Sequence, residues 1–240
     1  MPGGAATPQF SAAARGNQLR LEDGIWWQEI WEPATAQAAP PPWRDGQIIL
    51  ITGGLGGLGR ILTRAIRAAA PTAFIILAGR GQNTEAGDWL AAQGPGVEFV
   101  ATDLADGDAV IALVDGIRRR HGRLDGVIHA AGILDDAPLA AKTPEHLARV
   151  LAPKVAGTIN LDRAIGDGAL EFFVLFSSIS AVLGSAGHTD YAAANGFMDG
   201  FAAAREVCRR AGLVQGRTIA IAWPSVGRRQ HEYGRGQPAP

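Results

Sequence analysis

The stretch QIILITGGLGGLGR, Gln47 to Arg60, passes from an unbroken apolar run into a glycine-rich turn. Residues 48–51 carry no polar side chain, the pattern of a strand buried on both faces within a parallel sheet. Glycine then recurs every third residue, at Gly53, Gly56 and Gly59, and a helical segment follows. Glycines at such a strand-to-helix turn let the backbone approach a diphosphate, whose charge is met by amides at the helix N-terminus. A glycine motif alone says little, but one that follows a strand and opens a helix points to a dinucleotide site. The residues expected to form it are Thr52, Gly53, Gly54, Gly56, Gly57, Leu58 and Gly59.

Outward from this turn the pattern repeats. The apolar runs QIILIT, AFIILAG, VEFVATD, LDGVIHAAG, LEFFVLFSS and RTIAIAWP alternate with helical segments near 57–70, 84–93, 106–120, 144–165 and 190–212. Six such strands separated by helices predict an α/β fold, a Rossmann-type doubly wound parallel sheet flanked by helices. The catalytic domain is expected over 47–226. Before it, 1–46 reads as an N-terminal segment and Pro-rich linker, with alternation in WWQEIW predicting one short strand. After it, 227–240 is polar, rich in Gly and Pro, and reads as a flexible tail.

Composition narrows the function classes. At 240 residues and 25.0 kDa the chain suits one domain with a substantial core. A net charge of -1, with no basic stripe, gives nothing that would attract nucleic acid or an acidic membrane. No apolar run is long enough to span a bilayer, and the N-terminus lacks the features of a secretion signal, so the chain reads as cytoplasmic. The single cysteine, Cys208, has no partner for a disulfide or a metal site, and no metal is expected.

The strand ends supply the chemistry. The second strand ends in Gly79-Arg80, where an NAD site carries an acidic residue and an arginine suits a 2′-phosphate, so the expected cofactor is NADPH. Asp103, with Leu104 beside it, follows the third strand, where a carboxylate can accept from an adenine amino group. After the fourth strand the small residues Ala130, Ala131 and Gly132 leave room for a dinucleotide, and His129 reads as a core residue. Ser177 and Ser178 end the fifth strand and are expected to face the crevice.

Tyr191 opens the helix that follows, with Asn195 four residues on. As a general acid near neutral pH, a phenol must drop roughly 3 units from ~10, about 4 kcal/mol of preference for the phenolate. A nearby ammonium is the natural source. Of 22 basic residues only Lys142 and Lys154 are lysines. Lys154 lies in the helix before the fifth strand and can pack beside Tyr191. Lys142 precedes the helix cap Thr143-Pro144 and reads as exposed.

The segments TGGLGGLG, HAAG, FSS and YAAAN resemble the short-chain dehydrogenase/reductase superfamily. Within it, LAPKVAGTINLDRA and YAAANGFMDGFAAAR are similar to the ketoreductase domain of modular polyketide synthases, where asparagine follows the tyrosine by four and the lysine comes from the preceding helix. The resemblance implies NADPH-dependent reduction of a β-ketoacyl thioester on an acyl carrier protein to the β-hydroxyacyl thioester. It makes Tyr191 the proton donor, Lys154 its cation and Ser178 the group that polarises the ketone, while Asn195 holds the lysine or a water relay. In GILDDAPL, the triplet Leu134-Asp135-Asp136 resembles the B type, and Leu183 stands where the A type has tryptophan. These residues are expected to orient the substrate toward a D-configured product.

FMDGFAAAR and IAWP are similar to the trans-acyltransferase class of synthases. Other synthase domains are then expected partners. Two features depart from the family. Only IWWQEIWEPA resembles the last strand of the usual N-terminal structural subdomain, and SVGRRQHEYGRGQPAP does not resemble the usual lid region. A split chain that docks through Trp26, Trp27 and Trp31 would account for this, as would an excised domain. The alternative functional readings are a non-catalytic scaffold with a reductase fold and a free-standing reductase of small ketones.

Overall fold

Strand β3, Ile48–Thr52, is buried along its whole length, as its apolar run requires. The computed structural model describes residues 19–28, 41–81 and 84–224. Trp31, the Pro-rich linker before position 41 and the tail lie outside the described residues.

The chain continues through α1 (Gly57–Ala69), β4 (Phe74–Gly79), α2 (Thr84–Ala91), β5 (Val97–Ala101), α3 (Gly107–His121) and β6 (Gly126–His129). A 3-10 turn at Leu139–Ala141 leads into α4 (Pro144–Ile165), β7 (Phe172–Ser178), α5 (Ser180–Leu183), α6 (Thr189–Arg210) and β8 (Arg217–Trp223). The strands form one parallel sheet in the order β5-β4-β3-β6-β7-β8, the doubly wound arrangement that the apolar runs predict. The order reverses between β3 and β6, which opens a crevice at their carboxyl ends. Alternate side chains feed a core on each face. Leu50, Val127 and Phe173 pack with Leu161 of α4 on one side. Ile49, Ile51 and Leu77 pack with Ile66 of α1 on the other. Each such fully buried side chain contributes roughly 1.5–3 kcal/mol.

Local signals set the helix ends. Asp106 caps α3 by accepting from the amides of Asp108 and Ala109, and Gly122 closes it at φ 76°. Thr143 caps α4 with Pro144 at the first turn, as the sequence predicts. The short α5 has no sequence counterpart; it is a single turn within the loop between β7 and α6.

The N-terminal segment differs from expectation. The expected strand is present as β2 (Ile25–Gln28), its continuation to Trp31 lies outside the described residues, and β1 (Leu19–Glu22), which was not expected, pairs with it as a hairpin. Asp23 (φ 51°) and Gly24 (φ 79°) reverse the chain, the conformation for which an Asp-Gly pair is selected in two-residue hairpins. Trp26 and Trp27 are exposed. Among the described residues no helix is long and apolar enough to cross a membrane.

Candidate active site

The glycine turn works by contact. A Cβ on Gly53, at φ +68°, would stand 2.8 Å from the Ala130 carbonyl oxygen. One on Gly59 would stand 2.4 Å from the Gly54 carbonyl oxygen, and one on Gly54 would meet Leu77 at 2.6 Å. These glycines close strand, turn and helix against each other. Gly56, the N-terminal flank of α1, has no side-chain cap, so the first amides of the helix stay available to an anion.

A cavity of about 320 Å³ opens over this turn. Of the expected cofactor residues, Gly53, Gly56, Arg80, Asp103, Leu104 and Ala130 to Gly132 line it. Thr52, Gly54, Leu58 and Gly59 stand behind the wall instead. Thr52 Oγ1 lies 2.6 Å from His129 Nδ1, and Leu58 packs on the core. Gly57, the first residue of α1, is exposed at the turn. Arg80 is exposed and forms no ion pair among the described residues, so its guanidinium is available to a phosphate. Asp103 Oδ1 accepts from the Ala105 amide at 3.0 Å, which holds its carboxylate at the rim. Bare helix amides, small walls and a free arginine suit a nicotinamide dinucleotide. Arg149, Ala152 and Pro153 also line the cavity, a part of the wall that sequence reading missed. Their three- and four-residue spacing places them on one face of α4, a signal present in the sequence.

The expected catalytic groups meet beside this crevice. Lys154 is 3% exposed, and its Nζ donates to the Phe176 carbonyl at 2.7 Å. The ammonium lies 5.6 Å from the centroid of the Tyr191 ring. Burial pushes the lysine down to about 8, partly opposed by the Asp199 carboxylate. Gly132 makes room for it, since a Cβ there would be 2.9 Å from Lys154 Cε.

Ser178 Oγ accepts from the Ser180 amide (3.2 Å) and hydroxyl (2.9 Å), which leaves its own proton free to donate outward. Ser180, buried two residues on, holds this hydroxyl and was not named by the sequence reading. Ser177 does not face the crevice as expected. Successive strand residues point to opposite faces, and its hydroxyl donates inward to the Asn195 carbonyl at 3.3 Å.

Asn195 Nδ2 donates to the Tyr191 carbonyl at 2.6 Å. Its buried Oδ1 has no hydrogen-bond partner among the described residues. An orphaned acceptor of this kind suits a bound water better than a hold on Lys154, whose Nζ bonds Phe176 and Met198. His129 is fully buried and held near 3, by desolvation first and then by the Lys154 charge, so it is neutral and sits in the core.

The Leu134-Asp135-Asp136 loop faces the same edge. Both carboxylates are engaged: Asp135 with Arg149 of α4, and Asp136 with His188 Nε2 at 3.0 Å. Leu134 and Leu183 remain exposed. Lys142 corrects the sequence reading: its side chain is fully buried, because Asp190, near in space and distant in sequence, pairs with it at 2.7 Å. Cys208 is a partly buried free thiol. Among the described residues no cluster of His, Cys, Asp and Glu is placed to hold a metal.

A family model described as KR domain matches residues 47–227. The polyketide synthase PksN of Bacillus subtilis is 43% identical over 204 residues, covering 82% of this chain and 4% of that protein. The polyketide synthase ThaG of Burkholderia thailandensis is 40% identical over 188 residues, covering 78% of this chain and 3% of that protein. The chain thus spans a small part of the curated relatives it matches. A solved ketoreductase domain from the bacillaene assembly line superposes with TM-score 0.79 at 36% identity, covering 90% of this chain and 53% of that one.

Proposed function

The chain belongs to the KR-domain family, the ketoreductase domains of polyketide synthases, and from that premise we propose that it reduces a β-ketoacyl thioester, carried by an acyl carrier protein, to the β-hydroxyacyl thioester. The observation that carries this reading is the buried Lys154 ammonium 5.6 Å from the Tyr191 ring. Gly53, Gly56, Arg80 and the first amides of α1 would hold NADPH along the crevice, and when bound it would supply the hydride for the β-carbon. The Ser178 hydroxyl donates to the ketone oxygen and orients it. Tyr191 delivers its phenolic proton to that oxygen as negative charge develops there, and Lys154 favours the phenolate left behind. The orphaned Asn195 Oδ1 offers a place for the water that returns a proton.

Three finer points belong to the same proposal. NADPH, rather than NADH, is supported by Arg80 on the crevice wall. A D-configured product of the B type is supported by the Leu134-Asp135-Asp136 loop and by Leu183, exposed where the A type has tryptophan. Other domains of a synthase, of the trans-acyltransferase class by the likeness of FMDGFAAAR and IAWP, are the partners expected for such a domain. The presence of Lys154, Ser178, Tyr191 and Asn195 argues against a non-catalytic scaffold, while the departure of SVGRRQHEYGRGQPAP from the usual lid region argues for one.

Oxidation of NADPH with a β-ketoacyl pantetheine thioester tests the proposal, with Tyr191→Phe run in parallel. A positioned general acid is worth roughly 10²–10⁴ in rate. The parent is expected to turn over and the variant to lose about that factor while still binding NADPH. A variant as fast as the parent would remove Tyr191 from the chemistry.

A further inference from the structure

Helix α6 begins without an ordinary cap. His188, at its N-terminal flank, makes no side-chain cap bond, yet the first amides of any helix need acceptors. Asp190, 3% exposed in the first turn, fills part of that need: its Oδ1 accepts from the Tyr191 amide at 2.9 Å. Its Oδ2 pairs with Lys142 Nζ at 2.7 Å, and both side chains are buried. Lys142 in turn donates to the carbonyl of Asp135 at 2.6 Å. It directly precedes Thr143, the cap of α4.

One buried ion pair therefore joins three elements: the Leu134-Asp135-Asp136 loop, the start of α4 and the start of α6. The two helices carry Lys154 and Tyr191. The fastening is reinforced at its rim by Asp135 with Arg149, by Asp136 with His188, and by the Ala137 amide donating to the Gly187 carbonyl at 3.2 Å.

We propose that Lys142 and Asp190 are a positioning pair for the reduction, setting the height of Tyr191 relative to Lys154 and to the substrate loop. This rests on the reading of Tyr191 as the proton donor. Neither residue touches the reacting atoms; they act through the Tyr191 backbone and the two helix starts. Stability alone does not explain the pair. Two buried charges repay their desolvation poorly, and apolar replacements of similar volume are often as stable. An arrangement that holds a reacting group to a fraction of an ångström does explain it, because a displacement of about 1 Å at such a group costs roughly 10² in rate.

The test separates stability from rate in the full chain. Lys142→Met leaves a buried carboxylate without its cation; both the melting temperature and kcat are expected to fall, kcat by about 10- to 10²-fold. The double variant Lys142→Met/Asp190→Leu removes both charges. Its melting temperature is expected to return close to the parent value, while kcat stays low and the dissociation constant for NADPH stays within roughly 3-fold of the parent. Asp190→Asn keeps the acceptor for the Tyr191 amide and is expected to lose less rate than the double variant. It also serves if Lys142→Met does not fold. Recovery of kcat together with melting temperature in the double variant would overturn the proposal and leave the pair a structural one. A parent that does not reduce the β-ketoacyl thioester would instead remove the functional reading, and the positioning role with it.

Discussion

The crevice between β3 and β6 and the edge formed by α4, α6 and the Leu134-Asp135-Asp136 loop are built by opposite means. The crevice is made of backbone. Its shape comes from the absence of side chains at Gly53, Gly54 and Gly59, and its anion-binding power from helix amides left bare at Gly56. The edge is made of side chains from distant parts of the chain, joined by the Lys142–Asp190 and Asp135–Arg149 ion pairs and the Asp136–His188 contact, around a buried ammonium. A backbone-built region fails when atoms are added; a region built from buried charges fails when a charge is removed or titrated.

The first way to break the comparison is to add one methyl group on the crevice side. In Gly59→Ala the new carbon would lie 2.4 Å from a backbone oxygen, with no flexible neighbour to yield. Overpacking of this kind costs about 3 kcal/mol, a fall in melting temperature of roughly 6–12 °C. An unchanged thermal melt would show that the turn is looser than these contacts require.

On the other side, Lys154→Met removes a charge that burial disfavours. Turnover is expected to fall about 10²-fold while the melting temperature does not drop, since no buried ammonium remains to be desolvated. The same lysine sets a pH window. Folded, it releases its proton near 8, whereas an unfolded lysine keeps its proton to 10.5. Between those values the unfolded chain binds more protons, so stability rises with pH, and below about 8 no such slope arises from this group. Denaturant melts across the window should show the rise in the parent and not in Lys154→Met, while reductase activity declines over the same range as the ammonium is lost.

A smaller effect sharpens the contrast at the crevice rim. Under the NADPH proposal, Arg80→Ala is expected to raise KM for NADPH roughly 10-fold and to leave that for NADH unchanged, since the guanidinium would then be the partner of the 2′-phosphate. Equal changes for both cofactors would assign Arg80 elsewhere. The smallest effect tests whether every glycine is needed. Gly200, exposed in the middle of α6, has no atom within 4 Å of where its Cβ would stand. Gly200→Ala should stabilise by about 0.5–1 kcal/mol through helix propensity, a gain of a few degrees in a thermal melt, with kcat unaltered.

Legibility followed the same division. The parallel strands read as near-continuous apolar runs, so all six were visible even at the edges, where Glu98 interrupts β5, and α4 runs over Pro144–Ile165 as expected. The hairpin was only half seen, because alternation in WWQEIW was weighed and the Asp23-Gly24 pair was not. Within the site, Lys154 could be chosen because lysines are scarce and one stands in the helix before β7. Lys142 was misread because its partner, Asp190, is 48 residues away along the chain. Ser177 was misread because two adjacent serines at a strand end cannot both face the crevice.

The sequence by itself determined the sheet, the glycine turn and the small-walled crevice above it, since these rest on local periodicity, backbone geometry and short spacings. Only the tertiary structure decided which lysine is buried against which carboxylate, which serine is held by Ser180, and how the Leu134-Asp135-Asp136 loop is tied to the start of α6. Those are outcomes of long-range packing, where desolvation makes a charge depend on whatever group the fold brings within hydrogen-bonding distance.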